Sequence, residues 1–272
     1  MAQDIRAAFF DIDGTLTSFT THTVPQSTID ALHELKRRGV KLFICTGRAP
    51  SFISVVLDTL PIEFDGIVGV NGQYITNADG EVVATQPLDE QDLQAIVRWL
   101  DEHPDVVASF CEEDFVYFNH SSEQLEASFA SLGKTAPERF FGDPHTRSRE
   151  HTVYQISPYI TEEQERDLLA QCAHVEAVRW APGFADLIYA NGGKGYGLRR
   201  MMSEHGWDAS QAIAFGDGGN DIAMLEAAGI GVAVGNAVQD VQSHANFVTR
   251  SVDDHGIAYA LEHFGLIGAQ AK

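Results

Sequence analysis

Short apolar runs of strand length alternate with amphipathic helical patterns in the first and last thirds of the chain. Residues 5–10 and 40–45 are two such runs, and Ile29, Leu32 and Leu35 form a helical stripe between them. The same rhythm predicts further strands at 66–70, 211–215 and 230–234, and helices at 49–59, 194–205, 238–243 and 253–264. Apolar strands separated by helices predict an α/β fold, with a parallel sheet covered by helices on both faces.

The middle of the chain, residues 82–185, follows a different pattern. Capping-box sequences that begin at Ser121 and Thr161 predict two helices there. Its other predicted elements are strands at 106–110, 115–118, 152–157, 175–180 and 184–189, a helix at 88–102 and a loop at 133–151. This order predicts an α+β module with an antiparallel sheet. We therefore expect a core domain of residues 1–81 and 186–272, interrupted by the module at 82–185.

Polar residues that suit phosphate chemistry follow several of the predicted strands. Asp11 and Asp13 come directly after the first strand. Thr46 and Gly47 follow the second strand, and Asp217 follows a strand in the last third. Ligands of open parallel sheets bind beyond the carboxyl ends of the strands, so we expect these residues to meet in one crevice. The inserted module is then placed to cover that crevice.

The two aspartates after the first strand are predicted to carry out the covalent chemistry. Asp11 is the candidate nucleophile, because a carboxylate can attack phosphorus to form an aspartyl-phosphate that water then hydrolyses. Asp13 is the candidate general acid and base, because residues i and i+2 of an extended chain share a face. Gly14 permits a sharp turn directly after them.

Other polar residues are predicted to bind the phosphate. Thr46 and Gly47 offer a hydroxyl and backbone N–H groups at a helix start, which favours anions. The alternative is that Thr46 is an ordinary N-cap of the helix at 49–59. Lys194 is the candidate point charge against a phosphate oxygen, and Asn220 is a candidate donor. Arg48 is within reach of the phosphate, but a structural or rim charge is the favoured interpretation.

A magnesium site is predicted from the carboxylates. Mg²⁺ prefers six oxygen ligands and keeps several waters. Asp11 and Asp217 are expected to supply carboxylate oxygens and Asp13 its backbone carbonyl. Asp221 is expected to lie behind these ligands and to accept a hydrogen bond from Lys194 or from a metal-bound water.

Composition narrows the choice of partners and compartment. The net charge of −21 argues against binding to nucleic acid or to an anionic membrane. Three widely spaced cysteines and a start that does not resemble a signal peptide favour a cytoplasmic protein. The basic segment that contains His145, Arg147, Arg149 and His151 is either a solvated loop or a rim that meets the distal part of a substrate.

Four motifs in this order resemble those of the haloacid dehalogenase superfamily. They are Asp11-Ile-Asp13-Gly14-Thr15, Thr46-Gly47-Arg48, Lys194 and Gly216-Asp217-Gly218-Gly219-Asn220-Asp221. The insert resembles the type IIB cap of Cof-type sugar-phosphate phosphatases. The resemblance implies a Rossmann-like core, dependence on Mg²⁺ and an aspartyl-phosphate intermediate. It also implies that Asp11 is the nucleophile and Asp13 the acid and base.

The leading hypothesis is a Mg²⁺-dependent phosphatase that acts on small phosphate monoesters. Sugar phosphates and phosphorylated cofactors are the expected substrates, and a small phosphorylated metabolite is the only expected partner of a monomer or homodimer. A phosphomutase of the phosphomannomutase type is an alternative, because the same type of cap occurs there. A phosphate-ligand binding module without turnover is a further alternative, although such a module would not need Asp13.

Overall fold

The computed structural model describes residues 4–132, 136–179 and 183–268. Within these ranges the strands form a sheet of eight and a sheet of five. In spatial order the larger sheet contains β13 (Phe247–Val248), β12 (Ile230–Ala233), β11 (Ala212–Gly216), β1 (Ala7–Phe10), β2 (Lys41–Cys45), β3 (Gly66–Gly69), β4 (Tyr74–Asn77) and β5 (Val82–Thr85). Neighbouring strands from β13 to β3 pair in parallel. β4 pairs antiparallel with both β3 and β5.

The smaller sheet comes from the middle of the chain, and all of its pairings are antiparallel. In spatial order it contains β7 (Val116–Phe118), β6 (Ala108–Cys111), β8 (Gln155–Pro158), β10 (Asp186–Tyr189) and β9 (Val175–Val178). The described helices are α1 (Gln26–Arg37), α2 (Pro50–Leu57), α3 (Glu90–Glu102), α4 (Glu123–Leu132), α5 (Pro144–Glu150), α6 (Glu162–Leu169), α7 (Gly193–Glu204), α8 (Ile222–Ala227), α9 (Gln239–Ser243) and α10 (Gly256–His263). None of the helices in the described ranges combines the length and apolar character needed to cross a membrane.

The larger sheet has an apolar core on each face because successive side chains of a strand point to opposite faces. In β1, Ala8 and Phe10 belong to the core beneath α1, α2 and α10. Ala7 and Phe9 belong to the core beneath α7 and α8. The predicted α/β fold with a helix-covered, mainly parallel sheet is therefore confirmed.

The smaller sheet is apolar on one face and mixed on the other. Phe110, Ile156 and Leu187 pack with Trp99 of α3 in the core of the inserted module. The opposite face, which we call the inner face, lines a cavity beside the larger sheet. Its residues in that wall are Ser109, Cys111, Val116, Phe118, Gln155, Ser157 and Asp186. Because side chains alternate along each strand, one face of the smaller sheet packs in the core of the module and the other faces the cavity.

Several local predictions were wrong. Part of the predicted loop at 133–151 is helix α5, which begins where the Asp143 carboxylate accepts a hydrogen bond from the His145 N–H at 3.1 Å. The helix has a polar sequence with no apolar stripe, so periodicity missed it. The capping box at Ser121 does not form; the Ser122 hydroxyl accepts from the Leu125 N–H instead. The capping box at Thr161 is confirmed.

The hairpin β4–β5 was also missed, and it bears on the predicted domain boundaries. β5 lies within the predicted insert but pairs with the larger sheet, and β10 lies within the predicted core but pairs with the smaller sheet. The two-domain division stays a prediction, and these pairings favour boundaries just after β5 and just after β10. The predicted elements and domains also include four short segments that lie outside the described residues: 1–3, 133–135, 180–182 and 269–272.

Candidate active site

Loops at the carboxyl edge of the larger sheet bring the predicted polar residues together. Asp11 follows β1, Thr46 follows β2 and Asp217 follows β11. These strands are neighbours and parallel in the sheet, so the residues after them emerge at the same edge. All three residues line one cavity of about 560 Å³, together with Asp13 and Asn220.

Lys194 is buried at the centre of this edge, in the first turn of α7. Its Nζ donates hydrogen bonds to Asp11 Oδ1 and to Asp221 Oδ1, both at 2.6 Å. The residue is only 1% exposed, and burial alone would lower its pKa. The two carboxylates outweigh burial and raise the pKa of Lys194 above its ordinary value. Lys194 therefore stays charged and fixes the position of Asp11.

Three carboxylates form a compact cluster around this ammonium group. Asp11, Asp217 and Asp221 each place an oxygen so that these atoms lie within 4.8 Å of one another. Burial raises the pKa of Asp11, and burial and the neighbouring Asp221 raise the pKa of Asp217 to about 7. The cluster thus carries unfavourable negative charge that a cation would stabilise.

The bonds already made within the cluster show which oxygens are engaged. Thr15 Oγ1 donates to Asp217 Oδ1 at 2.7 Å. Asp221 Oδ2 accepts from the backbone N–H groups of Asp217 and Gly218 at 3.0 and 2.9 Å. Asp221 therefore orients the loop and Lys194, which is the supporting position that the sequence predicts for it.

The carboxylate set fits a hard divalent cation. Mg²⁺ is bound through oxygen, and Asp11 and Asp217 present carboxylate oxygens at the cavity wall. The site contains four carboxylates, those of the cluster and Asp13, against the two cationic side chains Lys194 and Arg48. When these carboxylates are ionised, negative charge exceeds positive charge, and a bound divalent cation would reduce that excess.

Gly14 is required by the close approach of the first loop to Asp217. Its φ is +84°, and a Cβ atom there would lie 2.3 Å from Asp217 Oδ2. The Gly14 carbonyl accepts a hydrogen bond from Asn236 Nδ2 at 2.8 Å, which ties this turn to the loop after β12. The glycine of the first motif is thus explained by both its backbone conformation and its contact with the carboxylate cluster.

Asp13 lies outside the carboxylate cluster and pairs with Arg48. The guanidinium Nε and Nη2 donate to the two Asp13 carboxylate oxygens at 2.7 and 2.8 Å. Arg48 is not a rim charge, because its side chain is 9% exposed and contacts a predicted catalytic residue. Its structural role and its reach to the phosphate both stay predictions. Its place directly after Thr46-Gly47 was the available signal.

Thr46 and Gly47 lie where the sequence predicts them, on the wall of the cavity. Thr46 Oγ1 accepts a hydrogen bond from the Arg48 N–H at 3.2 Å. Thr46 is not the N-cap of the following helix, because α2 begins at Pro50 and Ala49 occupies the N-cap position. A polar side chain held in a buried loop without a capping role is available for a ligand.

Asn71 joins the carboxyl edge to the inserted module, and sequence reasoning missed this role. Its Oδ1 accepts from Asn220 Nδ2 at 3.0 Å, and its Nδ2 donates to Gln155 Oε1 at 2.9 Å and Asp186 Oδ2 at 2.8 Å. Its φ of +50° is in the left-handed region, and Val70 before it has φ +51°. Such strain in non-glycine residues concentrates at functional sites.

Comparisons with known proteins agree with this geometry. A family model for haloacid dehalogenase-like hydrolases matches residues 8–261. The chain belongs to this family. The Bacillus subtilis protein YkrA is 31% identical over 264 residues, which cover 97% of this chain and 99% of YkrA. The resemblance inferred from the four motifs is therefore confirmed.

Two other haloacid dehalogenase-like relatives have specific descriptions. The pyridoxal phosphate phosphatase YbhA of Escherichia coli is 28% identical, over 89% of this chain and 92% of YbhA. A solved structure described as a subclass IIB sugar phosphatase is 35% identical, with a TM-score of 0.88. The match covers 96% of this chain and 100% of that chain.

In this haloacid dehalogenase-like chain the basic segment near α5 does not contribute to the cavity. Arg147 forms an ion pair with the buried Glu112, and His145 lies 2.9 Å from Asp101. None of residues 144–151, all of which the structure describes, belongs to the cavity wall. Of the two interpretations, a solvated segment is favoured over a substrate rim, because none of its residues lines the cavity and His145 and Arg147 have acidic partners within the module.

Proposed function

We propose that this haloacid dehalogenase-like phosphatase hydrolyses small phosphate monoesters with Mg²⁺ as cofactor, through an aspartyl-phosphate on Asp11. One observation carries the proposal. Asp11 lies at the cavity wall, held by Lys194 at 2.6 Å and adjacent to the Asp217 carboxylate. A nucleophilic carboxylate, a fixed cation and a metal-binding carboxylate are thus gathered at one point.

Asp11 and Asp217, with the backbone carbonyl of Asp13, are the residues that would hold Mg²⁺. A bound Mg²⁺ would neutralise charge on the phosphate and orient it for in-line attack. Lys194 restrains Asp11 and adds positive charge beside the developing negative charge. Thr46 and the Gly47 N–H, with Asn220, would donate hydrogen bonds to phosphate oxygens.

The reaction proceeds in two displacements. A carboxylate oxygen of Asp11 forms a bond to phosphorus while the ester P–O bond breaks, and Asp13 gives its proton to the departing alcohol oxygen. Asp13 then takes a proton from water, which attacks phosphorus and releases inorganic phosphate from Asp11. Both residues end in their starting states.

The Arg48–Asp13 ion pair sets a condition for this mechanism. Both carboxylate oxygens of Asp13 accept hydrogen bonds from Arg48, whereas the acid role requires one of these oxygens to face the leaving group. Arg48 must therefore give up at least one of these hydrogen bonds when substrate binds. A phosphate monoester offers an alternative partner for the guanidinium.

Sugar phosphates and phosphorylated cofactors are the proposed substrates. A cavity of about 560 Å³ suits a small metabolite, and the relatives include a described sugar phosphatase and a pyridoxal phosphate phosphatase. The phosphomutase alternative has no observation in its favour. The cytoplasmic location and the monomeric or homodimeric state remain predictions.

Release of inorganic phosphate from p-nitrophenyl phosphate tests the proposal. We expect turnover with Mg²⁺, none with EDTA, and none with Asp11→Asn in either condition. Asp105→Asn, an exposed aspartate of the inserted module away from the cavity, is the matched control and should be fully active. Normal turnover by Asp11→Asn would refute the assignment of the nucleophile, and an isomerised sugar phosphate as product would indicate a mutase.

A further inference from the structure

The part of the cavity contributed by the inserted module combines four aromatic rings with polar side chains. Phe118 comes from β7, Phe129 from α4, Tyr159 follows β8, and Phe184 precedes β10. Phe52 of α2 adds a ring from the core side of the same cavity. The phosphate-binding residues lie on the carboxyl edge of the larger sheet, so the cavity has a charged end and an aromatic end.

These rings are arranged in two contacting pairs. The Phe118 and Phe129 rings meet edge to face with centroids 5.6 Å apart. The Tyr159 and Phe184 rings meet at a tilted angle with centroids 5.3 Å apart. Phe129, Tyr159 and Phe184 are each only partly buried. Phe129 and Tyr159 pack against a small core cluster that contains Phe118, and their partly exposed faces are turned to the cavity, where they can contact a ligand.

Polar side chains also line the aromatic end: Ser109, Ser128, Gln155, Ser157 and Asp186. Asp186 Oδ1 accepts from Ser157 Oγ at 2.6 Å, and its Oδ2 accepts from Asn71. A carboxylate has about four acceptor positions, so Asp186 can accept a further hydrogen bond from a ligand. The aromatic end is thus suited to a mostly apolar group that carries a hydroxyl or amine donor.

This lining discriminates between classes of alcohol. A hexose presents hydroxyl groups around its ring. Those that reach Ser109, Gln155 or Ser157 can form hydrogen bonds, but those turned towards the phenylalanines would lose water without gaining a partner. Burial of an unpartnered hydroxyl is costly, whereas a planar aromatic ring gains offset or edge-to-face contacts. The lining therefore favours a flat apolar ring.

We infer that the preferred substrates are phosphate monoesters in which a planar aromatic ring, joined to the phosphate through a short linker, occupies the space beside Phe118, Phe129, Tyr159 and Phe184. This inference rests on the proposed function for the position of the phosphate. It narrows the substrate class from small phosphorylated metabolites in general to ring-bearing phosphates.

A matched pair of substrates tests the inference. Benzyl phosphate and cyclohexylmethyl phosphate have the same linker and a similar size, but only the first has a planar ring. With Mg²⁺ we expect kcat/KM for benzyl phosphate to exceed that for cyclohexylmethyl phosphate, and that for glucose 6-phosphate, by about two- to tenfold or more. Equal or higher kcat/KM for either competitor would overturn the inference.

Binding measurements with non-hydrolysable analogues distinguish a failure of the inferred ring preference from a failure of the proposed phosphatase activity. 2-Phenylethylphosphonate and 2-cyclohexylethylphosphonate copy the two substrates but cannot be hydrolysed. Their affinities, measured by calorimetry with Mg²⁺, report ring selectivity even if no phosphate is released from any ester. If no ester is hydrolysed but the phenyl compound binds more tightly than the cyclohexyl compound, the proposed function is rejected and the inferred preference for a planar ring is retained. Equal affinities would reject the inference.

Variants locate the selectivity. Phe129→Leu and Phe184→Leu should each lower the ratio of kcat/KM for benzyl phosphate to that for glucose 6-phosphate by about two- to tenfold. This ratio does not depend on the fraction of folded enzyme. Phe140→Leu removes an aromatic side chain that is 41% exposed and outside the cavity wall, and it should leave the ratio unchanged. An unchanged ratio in both cavity variants would contradict the assigned position of the ring.

Discussion

Replacement of Lys194 by methionine tests how the carboxylate cluster is held together. The ammonium group is fully buried and bonds two carboxylates, Asp11 and Asp221, at 2.6 Å. Lys194→Met keeps most of the buried volume but leaves these carboxylates without their counter-charge. Removal of one partner from a buried ion pair typically costs about 3–5 kcal/mol. We therefore expect a loss of about this size in the free energy of unfolding at pH 7 without metal.

The pH dependence of this loss follows from the carboxylates. Burial already raises the pKa of Asp11 in the folded state, and removal of Lys194 raises that pKa further. A carboxyl group with a raised folded-state pKa destabilises the fold once the pH exceeds its unfolded pKa of about 3.9. The loss in Lys194→Met should therefore shrink as the pH falls towards 4 and grow between pH 5 and 8.

Urea unfolding at several pH values, with EDTA present, is the assay. Arg98→Met is the control, because Arg98 is an exposed cation of α3 and its replacement should change stability by less than about 0.5 kcal/mol. A loss in Lys194→Met that is below 1 kcal/mol, or that does not change with pH, would refute the assigned role of this ion pair.

Three further predictions concern the same edge of the sheet. Because burial and the neighbouring Asp221 raise the pKa of Asp217 to about 7, Mg²⁺ affinity measured by calorimetry should rise from pH 6 to pH 8; a constant affinity would contradict a metal-binding carboxyl group with that pKa. Gly14→Ala should abolish Mg²⁺-dependent turnover, whereas Gly80→Ala, with φ +80° but no atom within 4 Å of the added Cβ, should keep it. Asn71→Ala should be about 1 kcal/mol less stable than Asn71→Gly, since both lose the same hydrogen bonds but only alanine strains the left-handed backbone.

The sequence predicted the parts of the site that depend on strand order. Asp11, Thr46 and Asp217 each end an apolar strand, and the parallel arrangement alone brings strand ends to one edge. The position of Lys194 was predicted from its motif, and the structure adds its burial and its two carboxylate partners. Such features follow from local pattern combined with one topological rule.

Other features depend on contacts between distant residues and were not predictable in this way. The Arg48 side chain is positioned by hydrogen bonds to Asp13, which lies 35 positions earlier in the sequence. The Asn71 side chain is positioned by a hydrogen bond to Asp186, which lies 115 positions later. Hairpin β4–β5 is short and partly exposed, and α5 lacks an apolar stripe, so neither has a strong periodic signal. In each case tertiary packing decides the outcome.

The central claim is that Asp11 carries the phosphoryl group during turnover. Its most direct test is mass spectrometry of the enzyme after acid quenching during steady turnover with Mg²⁺, followed by digestion and mapping of the modified peptide. We expect the peptide that contains Asp11 to be heavier by one phosphoryl group, and we expect hydroxylamine to remove that group. An enzyme that turns over substrate with no phosphoryl group on Asp11, or with the group on another residue, would contradict the account.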